Sequence, residues 1–235
     1  MSTLSVVSHA DWLAARRELL AKEKEFSRLR DELSARRRVL PWEKVEKAYV
    51  FEGPGGDESL VELFGDCCQL IVYHFMFGPD WEEGCKACSF LTDHFGPALT
   101  HLNNRDVTLI AVSRGPLEKL QAFRERMGWP IKWVSSLNND FNGDYGVSFS
   151  PEDMAAGEVD YNYATGPFPV SEGPGISVFA KDGGGDVFHT YSSYARGLDM
   201  FIGTYHLLDI VPKGRDEAEL PFSMDWVRHH DRYGD

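Results

Sequence analysis

The sequence has no run of the roughly 18 apolar residues that a membrane span requires. Its best apolar stretch, Leu70 to Phe77, is strand-length and interrupted by His74. No apolar segment precedes Arg16, so the beginning does not read as a signal peptide. Positive charge is scarce: 24 Lys and Arg stand against 37 Asp and Glu, a formal net charge of −13, and the one basic cluster is Arg36-Arg37-Arg38. A surface that acidic repels phosphate backbones and anionic lipid, which argues against nucleic acid and membrane as partners. Cysteine is sparse as well, with four in all. The expected compartment is the cytoplasm, where thiols stay reduced and a close pair is catalytic, redox-sensing or metal-binding rather than a disulfide framework. No second C-x-x-C and no H-x-x-x-H accompanies Cys85 and Cys88. A structural zinc site would lack half its ligands, and neither metal nor cofactor is expected. There is no internal repeat and no clean linker.

What the chain does hold is aromatic: 15 Phe, 9 Tyr and 6 Trp can build a sizeable core. Residues from about Ala10 to Arg38 read as one long helix, with Ser8 and Asp11 resembling a capping box and Pro41 ending it. Trp12, Leu19, Phe26 and Leu33 recur at heptad spacing, with Leu29 between the last two. That stripe either lies on the body of its own domain or pairs with a second subunit. Lys47 to Phe51 and Ser59 to Leu63 read as strands around a Pro-Gly-Gly turn. Gln69 to Met76 and Asp106 to Val112 read as buried strands, and Ile131 to Val134 as a short one. Helices are expected from Cys85 to about Leu102, from Pro116 to Met127, and from Tyr194 to Leu208. Ile176 to Ala180 and Asp186 to Tyr191 form a hairpin. Asn138 to Pro174 is rich in Asn, Asp, Gly and Pro with little periodicity, which marks a functional or inserted loop. Strands alternating with helices, then a hairpin, predict an α/β fold with a central mixed sheet flanked by helices. The expected division is a helical arm over residues 1–41 and one domain over 42–235.

Chemistry centres on Cys85-Lys86-Ala87-Cys88, which follows a buried strand and opens a helix. Free N–H groups and the dipole at a helix N-terminus favour a thiolate, the reactive form of cysteine. Cys85, in the first turn and next to Gly84, is the expected nucleophile. Cys88, one turn further in and more buried, is the expected resolving thiol. Lys86 adds to the positive field, while Glu82 and Glu83 oppose it. Cys67-Cys68 reads as small packing residues, since an adjacent pair forms only a strained disulfide. His74 is expected in a packed layer, His189 and Tyr191 as residues that could face the site, and His229-His230 in a solvated tail.

The segments QLIVYHFMFGPDWEEGCKACSF, RDVTLIAVSRGPLEKL, GPGISVFAKDGGGDVFHTYSSYARGLD and LLDIVPKGRDE resemble the thioredoxin-like domain-of-unknown-function family eight-nine-nine, labelled predicted dithiol–disulfide oxidoreductase. The resemblance covers nearly all of the chain. It implies a thioredoxin-like fold and a redox-active pair at Cys85 and Cys88, acting on a protein or small-molecule thiol or disulfide. Lys86-Ala87 stand where relatives carry Pro-Gly. The fold also implies a cis-proline opposite the pair, and Pro174, ahead of the hairpin, fits by order, with Pro167 and Pro169 as competitors in the same stretch. Trp81 and Pro174 are thus the expected substrate contacts. Two other readings stay open. One is a thiol peroxidase of peroxiredoxin type, against which stands the missing P-x-x-x-[ST]-x-x-C motif. The other is a non-catalytic binding protein on the same scaffold.

Overall fold

Alternation along two adjacent strands decides which side of the sheet carries the site. The structure is a computed structural model describing residues 5–234. In β4 (Gln69–His74), Leu70 and Val72 pack into one core layer while Tyr73 enters the opposite one. In β5 (Val107–Ser113), Ile110 and Val112 join the first layer and Leu109 and Ala111 the second. Successive strand side chains point to opposite faces, so a strand without polar breaks is one covered on both.

The remaining strands are β1 (Glu43–Lys44), β2 (Val50–Gly53), β3 (Gly56–Ser59), β6 (Lys132–Ser135), β7 (Val159–Tyr161), β8 (Ala164–Gly166), β9 (Gly175–Lys181) and β10 (Val187–Tyr194). The helices are α1 (His9–Arg37), α2 (Lys86–Thr92), α3 (Leu99–Asn104), α4 (Leu117–Arg126), α5 (Phe141–Asp144), α6 (Pro151–Ala156) and α7 (Gly203–Leu208). The main sheet runs β1-β10-β9-β4-β5-β6-β2-β3. Pairings β4–β5 and β5–β6 are parallel and the others antiparallel. Within it, β10-β9-β4-β5, with α2 and α3 connecting β4 to β5, is the thioredoxin-like arrangement. Among the described residues no helix is long and apolar enough to cross a membrane.

The chain divides into two units, Met1–Pro41 and Trp42–Asp235. In the first, the Ser8 hydroxyl accepts from the Asp11 N–H at 3.2 Å and donates to its carboxylate at 2.7 Å, capping α1. No residue of α1 is buried, and Trp12, Leu19, Phe26, Leu29 and Leu33 are all exposed.

Four expectations are corrected. The strand expected over Ser59 to Leu63 lies earlier, as β3, and a 3-10 turn, Glu62–Phe64, follows it. The helix from Cys85 to Leu102 is two helices, because Gly96-Pro97 interrupts it with a turn of tighter helix. The segment from Asn138 to Pro174 is structured: it holds α5, α6 and the β7–β8 ribbon. The last helix is shorter than expected, since β10 continues to Tyr194 and a 3-10 stretch, Ala195–Phe201, intervenes before α7.

Candidate active site

Cys85 is the N-cap of α2 and sits just beyond the C-terminal end of β4, its N–H donating to the Met76 carbonyl at 3.1 Å. The Cys85 side chain is half-buried. Cys88 is 2% exposed and lies in the core layer with Tyr73 and Leu91. The two thiols are near one another and both are free. Their environments differ in sign. Hydrogen bonding from the Cys88 thiol lowers the Cys85 pKa from 9.0 to about 7, against the opposing pull of burial. The N–H groups of Cys88 and Ala87 and the Lys86 charge add to the lowering. Burial pushes the Cys88 thiol well up, and its contact with Cys85 pushes it further. The buried Tyr73 hydroxyl addresses the Cys88 sulfur.

Both thiols line a cavity of about 720 Å³. Its walls near them are apolar, from Met76, Leu91, Leu198 and Ile202, and Arg215 and Glu217 are among its charged lining residues. Pro174 is also part of the lining, but Trp81 is not. The Trp81 ring packs on Gly78, so closely that a side chain there would collide with it at 2.8 Å. No cis peptide bond occurs among the described residues, so the expected cis isomer at Pro174 is corrected to trans. What holds Pro174 is Tyr161 on the β7–β8 ribbon. Its hydroxyl donates to the Pro174 carbonyl at 2.7 Å and accepts from the Ala195 N–H at 2.9 Å. Ala195 has φ 48°, a conformation strained for a residue with a Cβ, and it too lines the cavity. The segment from Asn138 to Pro174 thus braces two pieces of cavity wall.

The largest departure from expectation is the tail. His229 is only 7% exposed, where a solvated residue was expected. Its Nε2 donates to the Gly84 carbonyl at 3.0 Å, and its ring meets Phe123 edge-on at 5.2 Å. Val227 is fully buried, and Trp226 packs edge-on against Phe90 of α2. The Lys86 ammonium donates to the Asp225 carbonyl at 2.9 Å. The tail is therefore a strap across the segment that presents Cys85. It also changes the role of the acidic pair. Glu83 is bound by Arg232 and Arg126, which hold its carboxyl below the usual range, and Glu82 pairs with Lys119 at 3.0 Å. Their opposition to a thiolate is accordingly offset by fixed cations. In the sequence Trp226 stands out as a possible anchor of the mostly charged tail, whereas Val227 and His229 show no helical or strand periodicity that would mark them as buried.

Gly84 is required for packing. A Cβ there would lie 2.6 Å from Phe75 and 2.9 Å from Phe123, both buried. Gly84→Ala is expected to cost about 1–3 kcal/mol, lowering the melting temperature by several degrees. An unchanged melting curve would show that these rings yield freely.

His74 is fully buried, with Nε2 on Ser177 Oγ at 2.9 Å. His189 lines a separate cavity of about 460 Å³ with Tyr145 and Tyr194. Neither lines the cavity that holds the thiols. Cys68 is exposed and Cys67 half-buried, next to the first residue of β4. Among the described residues no group of three or more His, Cys, Asp or Glu is arranged to hold a metal ion.

A thioredoxin-like α/β fold with a thiol pair at the head of α2 defines the class. The chain belongs to the family described as "Bacterial protein of unknown function (DUF899)", which it matches over residues 1–233. Solved structures similar to it include peroxidoxin BcpB from Mycobacterium tuberculosis, at 13% identity and TM-score 0.46, covering 70% of this chain and 95% of that one. A cysteine-to-serine mutant of Xanthomonas campestris peroxiredoxin Q gives 12% and 0.45, covering 67% and 90%. The mitochondrial 2-Cys peroxiredoxin of Plasmodium falciparum gives 12% and 0.43, covering 70% and 94%. No curated protein matches the chain.

Proposed function

We propose that the protein is a dithiol–disulfide oxidoreductase. The observation that carries this reading is the opposite displacement of two adjacent thiols that share one cavity wall. The Cys85 thiolate attacks one sulfur of a disulfide R–S–S–R. The S–S bond breaks, a Cys85–S–R bond forms, and one RS⁻ leaves and takes up a proton. Cys88 then loses its proton and displaces the second RS⁻, which closes a Cys85–Cys88 disulfide. One substrate disulfide is reduced to two thiols and the protein dithiol is oxidised. Pro174, held by Tyr161, forms part of the surface the substrate meets. The working compartment is a reducing one such as the cytoplasm, where the dithiol form is maintained. Expressing Cys88→Ser in the host and identifying what is disulfide-linked to Cys85 tests the reading. Recovery of no mixed disulfide under oxidising challenge would contradict it.

Peroxidase turnover is expected to be slow. The hydroxyls nearest in sequence, Ser89 and Thr92, donate back to the Cys85 and Cys88 carbonyls at 2.9 Å and are not offered to a peroxide oxygen. Unpositioned reactants forgo most of the advantage of an oriented site. Hydrogen peroxide should consume the reduced protein at a rate close to that of a free thiol of similar pKa. Fast, saturable consumption would move the assignment to a peroxidase.

We further propose that the exposed stripe Trp12, Leu19, Phe26 and Leu33 of α1 pairs with the same stripe of a second copy, since heptad spacing suits such a seam. Full-length protein should then show a larger number of chains per particle by light scattering than residues 42–235 alone. Equal values would make α1 a free arm.

A further inference from the structure

The charge in the cavity beside Cys85 is fixed by hydrogen bonds. Three carboxylates, Asp199, Asp209 and Glu217, face two guanidiniums, Arg196 and Arg215, which leaves one negative charge in excess. Arg215 is spent within this set. Its Nε and Nη2 donate to the two oxygens of Asp209 at 2.7 and 2.8 Å, its Nη1 donates to Asp199 at 3.0 Å, and its plane stacks on Tyr205 at 3.8 Å. Arg196 has an 89% exposed side chain 3.5 Å from Asp199, so solvent screens it. Glu217 is held differently. Tyr205 Oη at 2.7 Å, Trp226 Nε1 at 2.6 Å and the Met224 N–H at 3.0 Å all donate to Oε1, which leaves Oε2 outside that set. Burial works to raise its pKa, but these donors hold it below the ordinary value, so the carboxylate is ionised at neutral pH. The nearby Lys86 is matched by Asp225, 3.7 Å away. A thiolate at Cys85 would add a further negative charge.

Resting on the oxidoreductase reading, we infer that the substrate is a small disulfide with an apolar body and an amine, entering the Met76–Leu91–Ile202 cavity with its ammonium toward Glu217. The volume, about 720 Å³, suits a small organic molecule. A disulfide carrying carboxylates meets an excess of like charge where water is partly excluded and repulsion is least screened.

The test is single-turnover oxidation of pre-reduced protein, which needs no added reductant, by three disulfides of similar size: cystamine (cationic), hydroxyethyl disulfide (neutral) and dithiodipropionate (anionic). Each rate is divided by that of mercaptoethanol at the same pH and ionic strength. Cystamine should exceed dithiodipropionate by at least about tenfold, with hydroxyethyl disulfide between, and the ratio should shrink as salt is raised. Glu217→Gln keeps an acceptor for the three donors and should cut the ratio at least about threefold. Glu152→Gln, on the exposed face of α6, should leave it unchanged. A flat or inverted ratio, or one insensitive to Glu217→Gln, overturns the inference while leaving the oxidoreductase reading intact. Should Glu217→Gln fail to fold, the wild-type ratio and its salt dependence decide. Failure of all three to react at Cys85 overturns the oxidoreductase reading. Calorimetric binding of cystamine against dithiodipropionate to Cys85→Ser then decides the charge preference by itself.

Discussion

Alkylation of the reduced protein across pH is expected to label Cys85 with a midpoint near pH 7 while Cys88 stays unlabelled until well above pH 9. Peptide mass reads the two sites separately. The direction follows from opposite environments: the Cys88 thiol, helix N–H groups and Lys86 lower the first pKa, and burial raises the second. A group with its pKa lowered to about 7 is roughly half thiolate at neutral pH. A thiol whose pKa burial pushes well above the ordinary range is almost wholly protonated there. Lower basicity costs intrinsic nucleophilicity, with a Brønsted slope near 0.4–0.5, so part of that advantage is returned. On balance Cys85→Ser should slow the first attack on a disulfide, read as mixed-disulfide formation at neutral pH, by at least about tenfold, the burial of Cys88 should slow it further, and no second thiol remains to resolve the product. Cys88→Ser should still form the mixed disulfide but not resolve it. Labelling of Cys88 first, or simultaneous labelling near pH 9, would remove the basis for assigning Cys85 as the nucleophile.

The second large effect concerns the strap. A chain ending after Phe222 loses Trp226 from its contact with Phe90, the fully buried Val227, and the His229–Gly84 hydrogen bond. It also loses Asp231, whose two oxygens bind Arg126 at 2.8 and 3.0 Å, and Arg232, which binds Glu83. Truncating one well-packed aromatic residue costs about 3–5 kcal/mol. For a chain of this size each kcal/mol moves the melting temperature by about 2–4 °C. The truncated protein should therefore melt about 10 °C lower or more. His229→Ala isolates the link to the thiol. It leaves the Gly84 carbonyl without its donor, at a cost of about 1–3 kcal/mol, and should shift the midpoint of Cys85 alkylation. An unaltered melting temperature in both variants would mean that the strap does not hold this segment.

Much of the frame can be read directly from the residues. The apolar runs of β4 and β5 require cover on both faces, and the C-x-x-C after β4 lies at a helix start. Ser8 and Asp11 locate the beginning of α1, and the order of strands and hairpin leads to the thioredoxin-like arrangement. Each of these depends on local periodicity, capping chemistry or chain order, which the sequence carries by itself. The lowering at Cys85 is local in origin, since the thiol three residues on and the first-turn N–H groups act on neighbouring atoms, whereas the rise at Cys88 comes first from burial, which packing decides.

Tertiary structure alone decided what surrounds them. Gly84 shows in the sequence only as the neighbour of Cys85, yet its reason is the approach of Phe75, just past β4, and Phe123 of α4. Glu83 reads as opposition to a thiolate, yet Arg126 and Arg232, distant in sequence, bind it. Tyr161 lies in a segment without periodicity and becomes the brace of Pro174. His229 is buried on the Gly84 carbonyl through a contact 145 residues apart in sequence. Side-chain charge and burial depend on partners brought together by chain closure. No local pattern encodes those partners, because the free energy that selects them arises only when the β4 layer, α2 and the strap are packed together.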